Sequence, residues 1–249
     1  MTFLGIIPAR YGSTRLEGKP LADICGKPMI QHVYERASKA MKDVYVATDD
    51  ERIAEAVKSF GGNVVMTSAE HNSGTNRCLE AYEKIAAATG KVFDVVINIQ
   101  GDEPMVEPAQ LNELMNCFDN PATELATLVA KVTDSSDLLN KSEVFVTFDK
   151  NMKALYFSRA VIPEIKGADK SEWINRTEYY KHIGLYAYTP DALKRFANLP
   201  QSNLELTEGL EQNRWLENGY SIHLAITRYE SAPVDTKEDL EKIRKIMCK

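Results

Sequence analysis

Leu4-Gly5-Ile6-Ile7-Pro8-Ala9-Arg10-Tyr11-Gly12-Ser13-Thr14-Arg15-Leu16-Glu17-Gly18-Lys19-Pro20 is the stretch on which the fold turns. It begins as a short apolar strand over residues 4–7. After Pro8 it opens into a loop with two glycines, two hydroxyls and three cations. Gly12 and Gly18 allow backbone conformations and close approaches that other residues resist. Arg10 and Arg15 present forked donors suited to phosphate oxygens, and Lys19 a compact point charge. Neither GxxxxGK[ST] nor GxGxxG is present, so no Walker-type or dinucleotide fingerprint applies. A solvated surface loop is the plain alternative, because exposed like charges repel by only about 1 kcal/mol per close pair in water. Position favours binding, since the loop follows the first strand of what reads as an α/β sheet.

Downstream, helix-like and strand-like segments alternate. Residues 29–42 place Ile30, Val33 and Ala37 at helical spacing, and 44–48 is the next strand. Over 51–60, Ile53, Ala56, Val57 and Phe60 fall at i, i+3, i+4 and i+7, one apolar stripe. Gly61-Gly62 ends that helix. A strand over 63–67, a helix over 75–88 and a strongly apolar strand over 92–99 follow. This rhythm predicts a mostly parallel central sheet with helices on both faces, with ligands outside the carboxyl ends of its strands. Past residue 120 it changes: strands at 124–132, 144–148, 154–162 and 182–188 have less helix between them and predict a smaller mixed-sheet extension. Residues 164–177 are polar and read as a long exposed loop. A helix over 206–218, a strand over 222–226 and a closing helix over 237–247 complete the chain. We expect one domain over 1–249 with an excursion over 120–190.

Composition narrows the function. The chain has 249 residues, 44% hydrophobic and 27% charged, with a net charge of −6. Nucleic-acid binding is disfavoured by that acidity. Residues 1–27 run against it: Arg10, Arg15, Lys19 and Lys27 against Glu17 and Asp23. A small cationic patch on an acidic protein suits a small anionic ligand. No apolar run approaches the roughly 18 residues that span a bilayer, and the start lacks a basic leader. A cytoplasmic location without membrane association is the expectation. Cys25, Cys78, Cys117 and Cys248 show no CxxC spacing and read as reduced thiols, with neither a zinc site nor a disulfide framework.

Carboxylates then appear at strand ends. In Asn98-Ile99-Gln100-Gly101-Asp102-Glu103-Pro104, Gly101 permits a sharp turn and Asp102 emerges at the same sheet edge as the first loop. A carboxylate facing phosphates needs an intervening cation, and magnesium takes one or two carboxylates plus substrate phosphates. Asp235, in Pro233-Val234-Asp235-Thr236, is a second candidate. A turn or helix cap is the alternative for each. Glu208, Glu211, Gln212 and Trp215 fall on one face of the helix expected over 206–218. An acid and an amide there suit a polyhydroxylated ligand; a solvated face beside one packed Trp is the other reading. His182 opens an apolar strand, where a lone histidine also fits as a satisfied core residue.

With these motifs in view, the chain resembles the CMP-Kdo synthetase (3-deoxy-manno-octulosonate cytidylyltransferase) family from about Phe3 to Met247. The resemblance is carried by residues 7–16 with Gly18-Lys19-Pro20-Leu21, by Ser73-Gly74-Thr75 with Arg77, and by Gln100-Gly101-Asp102-Glu103-Pro104. Further on it rests on Tyr156-Phe157-Ser158-Arg159-Ala160, His182-Ile183-Gly184-Leu185-Tyr186, Leu210-Glu211-Gln212 with Arg214, and Val234-Asp235-Thr236. It implies a Rossmann-like nucleotidyltransferase fold, a homodimer, magnesium, and activation of a 3-deoxy-2-keto sugar acid by CTP for lipopolysaccharide synthesis. The excursion would contribute to the sugar site and the dimer contact.

By matching position, Ala9, Arg10, Arg15 and Lys19 would serve the triphosphate, and Ser73, Arg77 and Gln100 the cytidine. Asp102 and Asp235 would hold magnesium; Arg159, His182, Tyr186, Glu211 and Gln212 would form the sugar side. Arg10, Lys19, Asp102 and Asp235 carry the chemistry in this reading, an in-line attack by the anomeric hydroxyl on the α-phosphorus of CTP. No residue stands out as a general base. Three positions depart from the family: Phe145 in place of a lysine, Glu17 in place of a proline and Asn76 in place of an acid. Loss of the cation at 145 bears on which sugar acid is taken, so amino-Kdo or a nonulosonate is the enzymatic alternative. A nucleotide-binding regulator without turnover is the alternative from another class.

Overall fold

A computed structural model describes residues 1–248 except Ser13, Thr14 and Asn72; Lys249 also lies outside the described residues. The two hydroxyls expected in the first loop, Ser13 and Thr14, therefore fall outside it. In chain order the strands and helices begin with β1 (Phe3–Ala9), β2 (Asp23–Ile24), β3 (Lys27–Pro28), α1 (Met29–Ala40), β4 (Asp43–Thr48), α2 (Glu51–Ser59) and β5 (Val64–Met66). Next come α3 (Gly74–Thr89), β6 (Val95–Asn98), α4 (Pro108–Asn116), β7 (Leu125–Lys131), β8 (Phe145–Phe148), β9 (Ala154–Ser158), α5 (Trp173–Arg176) and β10 (Tyr180–Tyr188). The last are α6 (Pro190–Asn198), α7 (Asn203–Glu208), α8 (Gln212–Glu217), β11 (His223–Thr227) and α9 (Lys237–Met247).

The chain divides into two compact units. The first comprises residues 1–112, 187–197 and 231–249. Its sheet runs β6-β1-β4-β5, and every pair is parallel. That is the sheet the alternating pattern predicts. Its strands are apolar on both faces: Leu4, Ile6, Ile7, Val44, Val46, Val96 and Ile97 are all buried. A second core of Ile24, Met29, Val234, Leu240 and Ile243 packs the β2–β3 hairpin against α9.

The other unit comprises residues 113–186 and 198–230. Here β11 and β7 are parallel, while β8 is antiparallel to both β9 and β10. This is the mixed extension. No helix among the described residues is long and apolar enough to cross a membrane.

Four expectations need correction. Residues 164–177 are not a plain exposed loop. Trp173 is buried with Val132, Leu138, Phe145 and Tyr179, its indole N–H bonded to the Ala168 carbonyl at 3.1 Å. One large aromatic outweighs the polar composition around it. The helix expected over 206–218 is two helices, broken where Gly209 takes φ +63 as the left-handed cap of α7. Glu208 therefore does not share a helix face with Glu211 and Gln212. The strand at 92–99 shrinks to Val95–Asn98, and Val92 is 81% exposed. Finally, Cys25 and Cys248 form a disulfide, while Cys78 and Cys117 are not disulfide-bonded. Cysteines so far apart in the chain leave no spacing signature; the hairpin and the end of α9 bring them together.

α4 and α6 go unpredicted, although each opens with proline at its first position, where the missing N–H costs nothing. In α6 the buried Ala192, Leu193 and Phe196 keep helical spacing.

Candidate active site

In the first unit a cavity of about 290 Å³ opens at the carboxyl ends of β1 and β6. Two close approaches build its floor. β6 pairs with β1 as far as Ile6↔Asn98, and beyond that Pro8 has no N–H to offer the ladder. The turn after β6 then comes so close that a Cβ on Gly101 would lie 2.7 Å from the Pro8 carbonyl oxygen. Only glycine fits there. This apposition sets Gln100 and Asp102 beside Ala9 and Arg10.

The first loop folds back on itself. The Gly18 amide bonds to the Tyr11 carbonyl at 3.0 Å, with Gly18 at φ +66. The Arg52 guanidinium, held by Asp50, lies 3.3 Å from the centroid of the Tyr11 ring. Lys19 then reaches inward. Its ammonium lies 2.7 Å from Asp102 Oδ2 and 3.2 Å from Asp235 Oδ1. Arg15 Nη2 is 2.9 Å from Asp235 Oδ1. Two carboxylates from distant segments thus converge on one cation. Asp235 is both a cavity residue and the neighbour of a cap, since Thr236, not Asp235, caps α9.

Glu103, to which the sequence motif assigns no role, is buried next to Asp102 in the chain. It accepts from the Ser231 hydroxyl and from the Ala232 amide at 3.2 Å. Burial raises its carboxyl above the ordinary range, with the charges of Asp102 and Asp235 adding to that and Ser231 opposing it.

The other end of the cavity is lined by Ser73, Gly74, Arg77, Gln100 and His71. The Ser73 hydroxyl caps α3, accepting from the Asn76 amide at 3.2 Å and donating to Asn76 Oδ1 at 2.7 Å. Asn76 therefore remains a capping partner where the family has an acid. Arg77 is buried, its fork committed to Thr67 Oγ1 at 2.6 Å and Asp49 Oδ2 at 2.9 Å. Asp49 directly follows β4 at the carboxyl edge of the sheet, a positional signal that could have found it. His71 is also new: its Nε2 meets Glu80. Burial alone would raise the Glu80 carboxyl, but Lys84, the Ser68 amide and His71 outweigh it and bring it down to about 2. Nothing in the sequence pairs His71 with Glu80, which lies two turns into α3.

All nine residues expected on the nucleotide and metal thus line one cavity: Ala9, Arg10, Arg15, Lys19, Ser73, Arg77, Gln100, Asp102 and Asp235. The five expected on the sugar belong to the second unit. His182, on β10, lies between Phe157 and Tyr186, with ring centroids 5.2 and 5.3 Å away. Thr127 Oγ1 donates to the Leu185 carbonyl at 2.6 Å and lies 2.9 Å from His182 Nε2. With its one proton so used, the hydroxyl accepts from Nε2–H, which leaves Nδ1 an acceptor. Burial pushes the imidazole down to about 3, so it is neutral at pH 7. Burial, and then the charge of Glu211, raise the Tyr186 phenol, which stays protonated.

Glu211 Oε1 is 3.7 Å from Arg214 Nη2, and Arg214 is buried against Glu205. Gln212 is buried at the start of α8. Glu208, expected beside them, instead ties the end of β9, taking the Ser158 hydroxyl at 2.7 Å and the Arg159 amide at 2.9 Å. The exposed Arg159 side chain rests on the Glu208 carbonyl at 2.9 Å. Phe145, the departure from lysine, is a core residue of this unit. Directly across the ladder from it stands Lys181, buried among Asp137, Glu230 and Glu143 at 2.8, 3.5 and 3.9 Å.

Cationic loop, convergent carboxylates and strand-end cavity are the parts of a nucleotidyltransferase, and similarity to known proteins agrees. The profile of the cytidylyltransferase family matches residues 4–226. The chain belongs to that family. A 3-deoxy-manno-octulosonate cytidylyltransferase of Parabacteroides distasonis is 54% identical over 246 residues, covering 97% of this chain and 96% of its own. An 8-amino-3,8-dideoxy-manno-octulosonate cytidylyltransferase of Shewanella halifaxensis is 49% identical over 239 residues, with 94% of each chain covered. A solved CMP:2-keto-3-deoxy-manno-octonic acid synthetase complexed with CTP superposes with a TM-score of 0.90 at 42% identity, covering 100% of this chain and 99% of that one. This cytidylyltransferase therefore has the nucleotidyltransferase fold throughout.

Proposed function

We propose that this cytidylyltransferase activates 3-deoxy-manno-octulosonate with CTP, giving the CMP-sugar and pyrophosphate for lipopolysaccharide synthesis. The observation that carries the reading is the convergence of Asp102 and Asp235 on Lys19 at the strand-end cavity. The 54% identity to a relative named for that activity supports the sugar. In the reaction the anomeric hydroxyl oxygen bonds to the α-phosphorus as the bond to the β-phosphate bridging oxygen breaks. Pyrophosphate leaves, and the hydroxyl proton passes to solvent. Such chemistry needs mostly positioning and charge neutralisation.

The residues present fit magnesium. Asp102 and Asp235 both reach one ammonium, so they are near enough to share one ion. An ion held by two carboxylates would take its remaining ligands from phosphates and water. Bound by Asp102 and Asp235, it would neutralise charge on the phosphates. Lys19, Arg10 and Arg15 bind and orient the triphosphate. Ser73, Arg77 and Gln100 take the cytidine. In the second unit, His182 offers a neutral acceptor and Tyr186 a phenol; with Arg159, Glu211 and Gln212 they recognise the sugar acid. His182 is too weak a base to take the proton at pH 7. Homodimerisation and a cytoplasmic location complete the reading.

A pyrophosphate-release assay crossing four nucleoside triphosphates with a panel of sugar acids tests it. Release is expected only with CTP, magnesium and the octulosonate together, and size-exclusion light scattering is expected to give a dimer. Release with a hexose phosphate and none with the octulosonate would sink the proposal. A higher kcat/KM for the 8-amino sugar would move the assignment to that substrate.

A further inference from the structure

The two metal-facing carboxylates arrive by different routes. Asp102 sits in a tight turn shortly after β6, while Asp235 lies in the irregular segment between β11 and α9. An irregular segment has no ladder to hold it, so its position must come from other contacts. Those contacts lead back to the turn that bears Asp102. The Val234 amide bonds to the Asp102 carbonyl at 2.9 Å. Glu103 Oε1 accepts from the Ser231 hydroxyl, and Glu103 Oε2 from the Ala232 amide at 3.2 Å. Glu103 is 9% exposed. A buried acid beside two other acids is unfavourable unless its hydrogen bonds matter to the arrangement.

We propose that Glu103 is a positioning residue that straps the Asp235 segment to the Asp102 turn and so sets the separation at which both carboxylates face one divalent cation. It is not a third ligand, because each of its oxygens is turned to Ser231 or Ala232. This rests on the reading that Asp102 and Asp235 hold magnesium. Partners behind metal ligands commonly change metal affinity by about 10- to 100-fold when removed.

The test uses the full-length protein with manganese(II) as the probe, its free fraction read by electron paramagnetic resonance in the presence of CTP. CTP binding in EDTA and thermal midpoints are measured alongside. Glu103→Ala is expected to weaken manganese binding about tenfold while metal-free CTP binding changes less than about twofold. Glu103→Gln, which keeps one acceptor, is expected to recover part of the loss. Ser231→Ala removes a single contact and supplies a folded variant if Glu103→Ala does not fold; about a threefold loss is expected. Manganese affinity unchanged in the folded variants, even with a lowered thermal midpoint, would overturn the proposal and leave Glu103 a packing residue. Asp235→Asn serves as the control: if it binds manganese like the parent, the magnesium reading itself fails, which the Glu103 variants alone would not reveal.

Discussion

The cavity of the first unit and the His182 neighbourhood of the second solve different recognition problems. In the first, charges hold charges: Lys19 is fixed by Asp102 and Asp235, Arg15 by Asp235, Arg77 by Asp49. In the second, neutral groups are fixed by burial: His182 is stripped of its proton and Tyr186 retains its own. Triphosphate carries concentrated charge and calls for the first arrangement. A polyhydroxylated acid presents many neutral donors and acceptors, and in the proposed reading the second suits it.

The largest expected effect breaks the charged side. Lys19→Ala and Asp102→Asn should each lower kcat/KM by about 10²–10³, measured by pyrophosphate release at saturating sugar. Loss of less than tenfold in both would place the reacting phosphates elsewhere.

A middle-sized effect sharpens the neutral side. The His182 pKa lies near 3 when folded, against about 6.5 unfolded. Its stability contribution is therefore full above pH 6.5 and lost as pH falls toward 3. Unfolding free energy should decline through that window with a component of up to about 1.4 kcal/mol per pH unit, one proton's worth. His182→Gln should flatten that component in urea melts at pH 4–7. The same variant should raise the KM for the sugar acid more than that for CTP.

The smallest effect lies at the break between α7 and α8. Gly209→Ala puts a Cβ on a φ of +63 and should cost about 1 kcal/mol, a fall of about 2–4 °C in Tm for a chain of this size. Because Glu208 anchors β9 through its side chain, the loss should come without a change in CTP affinity. A helix running unbroken through residues 206–218 would instead make this substitution stabilising.

Much of this was legible before the fold was known. The i, i+3, i+4 stripe of α2 and the apolar runs of β1, β4 and β6 are local signals, and they recover the parallel sheet of the first unit. The cationic loop and the Gly101-Asp102 turn were readable as strand-end motifs for the same reason. Local signals fail where one residue overrides its neighbourhood: Trp173 inside a polar segment, Gly209 inside a helical pattern, Pro108 and Pro190 opening helices that composition does not advertise. The Cys25–Cys248 disulfide, Arg77–Asp49, His71–Glu80 and Glu103–Ser231 were invisible because each joins residues with no shared spacing.

The sequence alone, then, determined the alternating architecture, the family and the identity of the charged groups, because periodicity and motif spacing are properties of neighbouring residues. Tertiary structure alone decided that Asp235 meets Asp102 at one ammonium, that His182 is neutral, and that Glu103 faces the Asp235 segment. Convergence and burial depend on how distant segments pack. The electrostatics of a charge likewise follow from what surrounds it in space rather than along the chain.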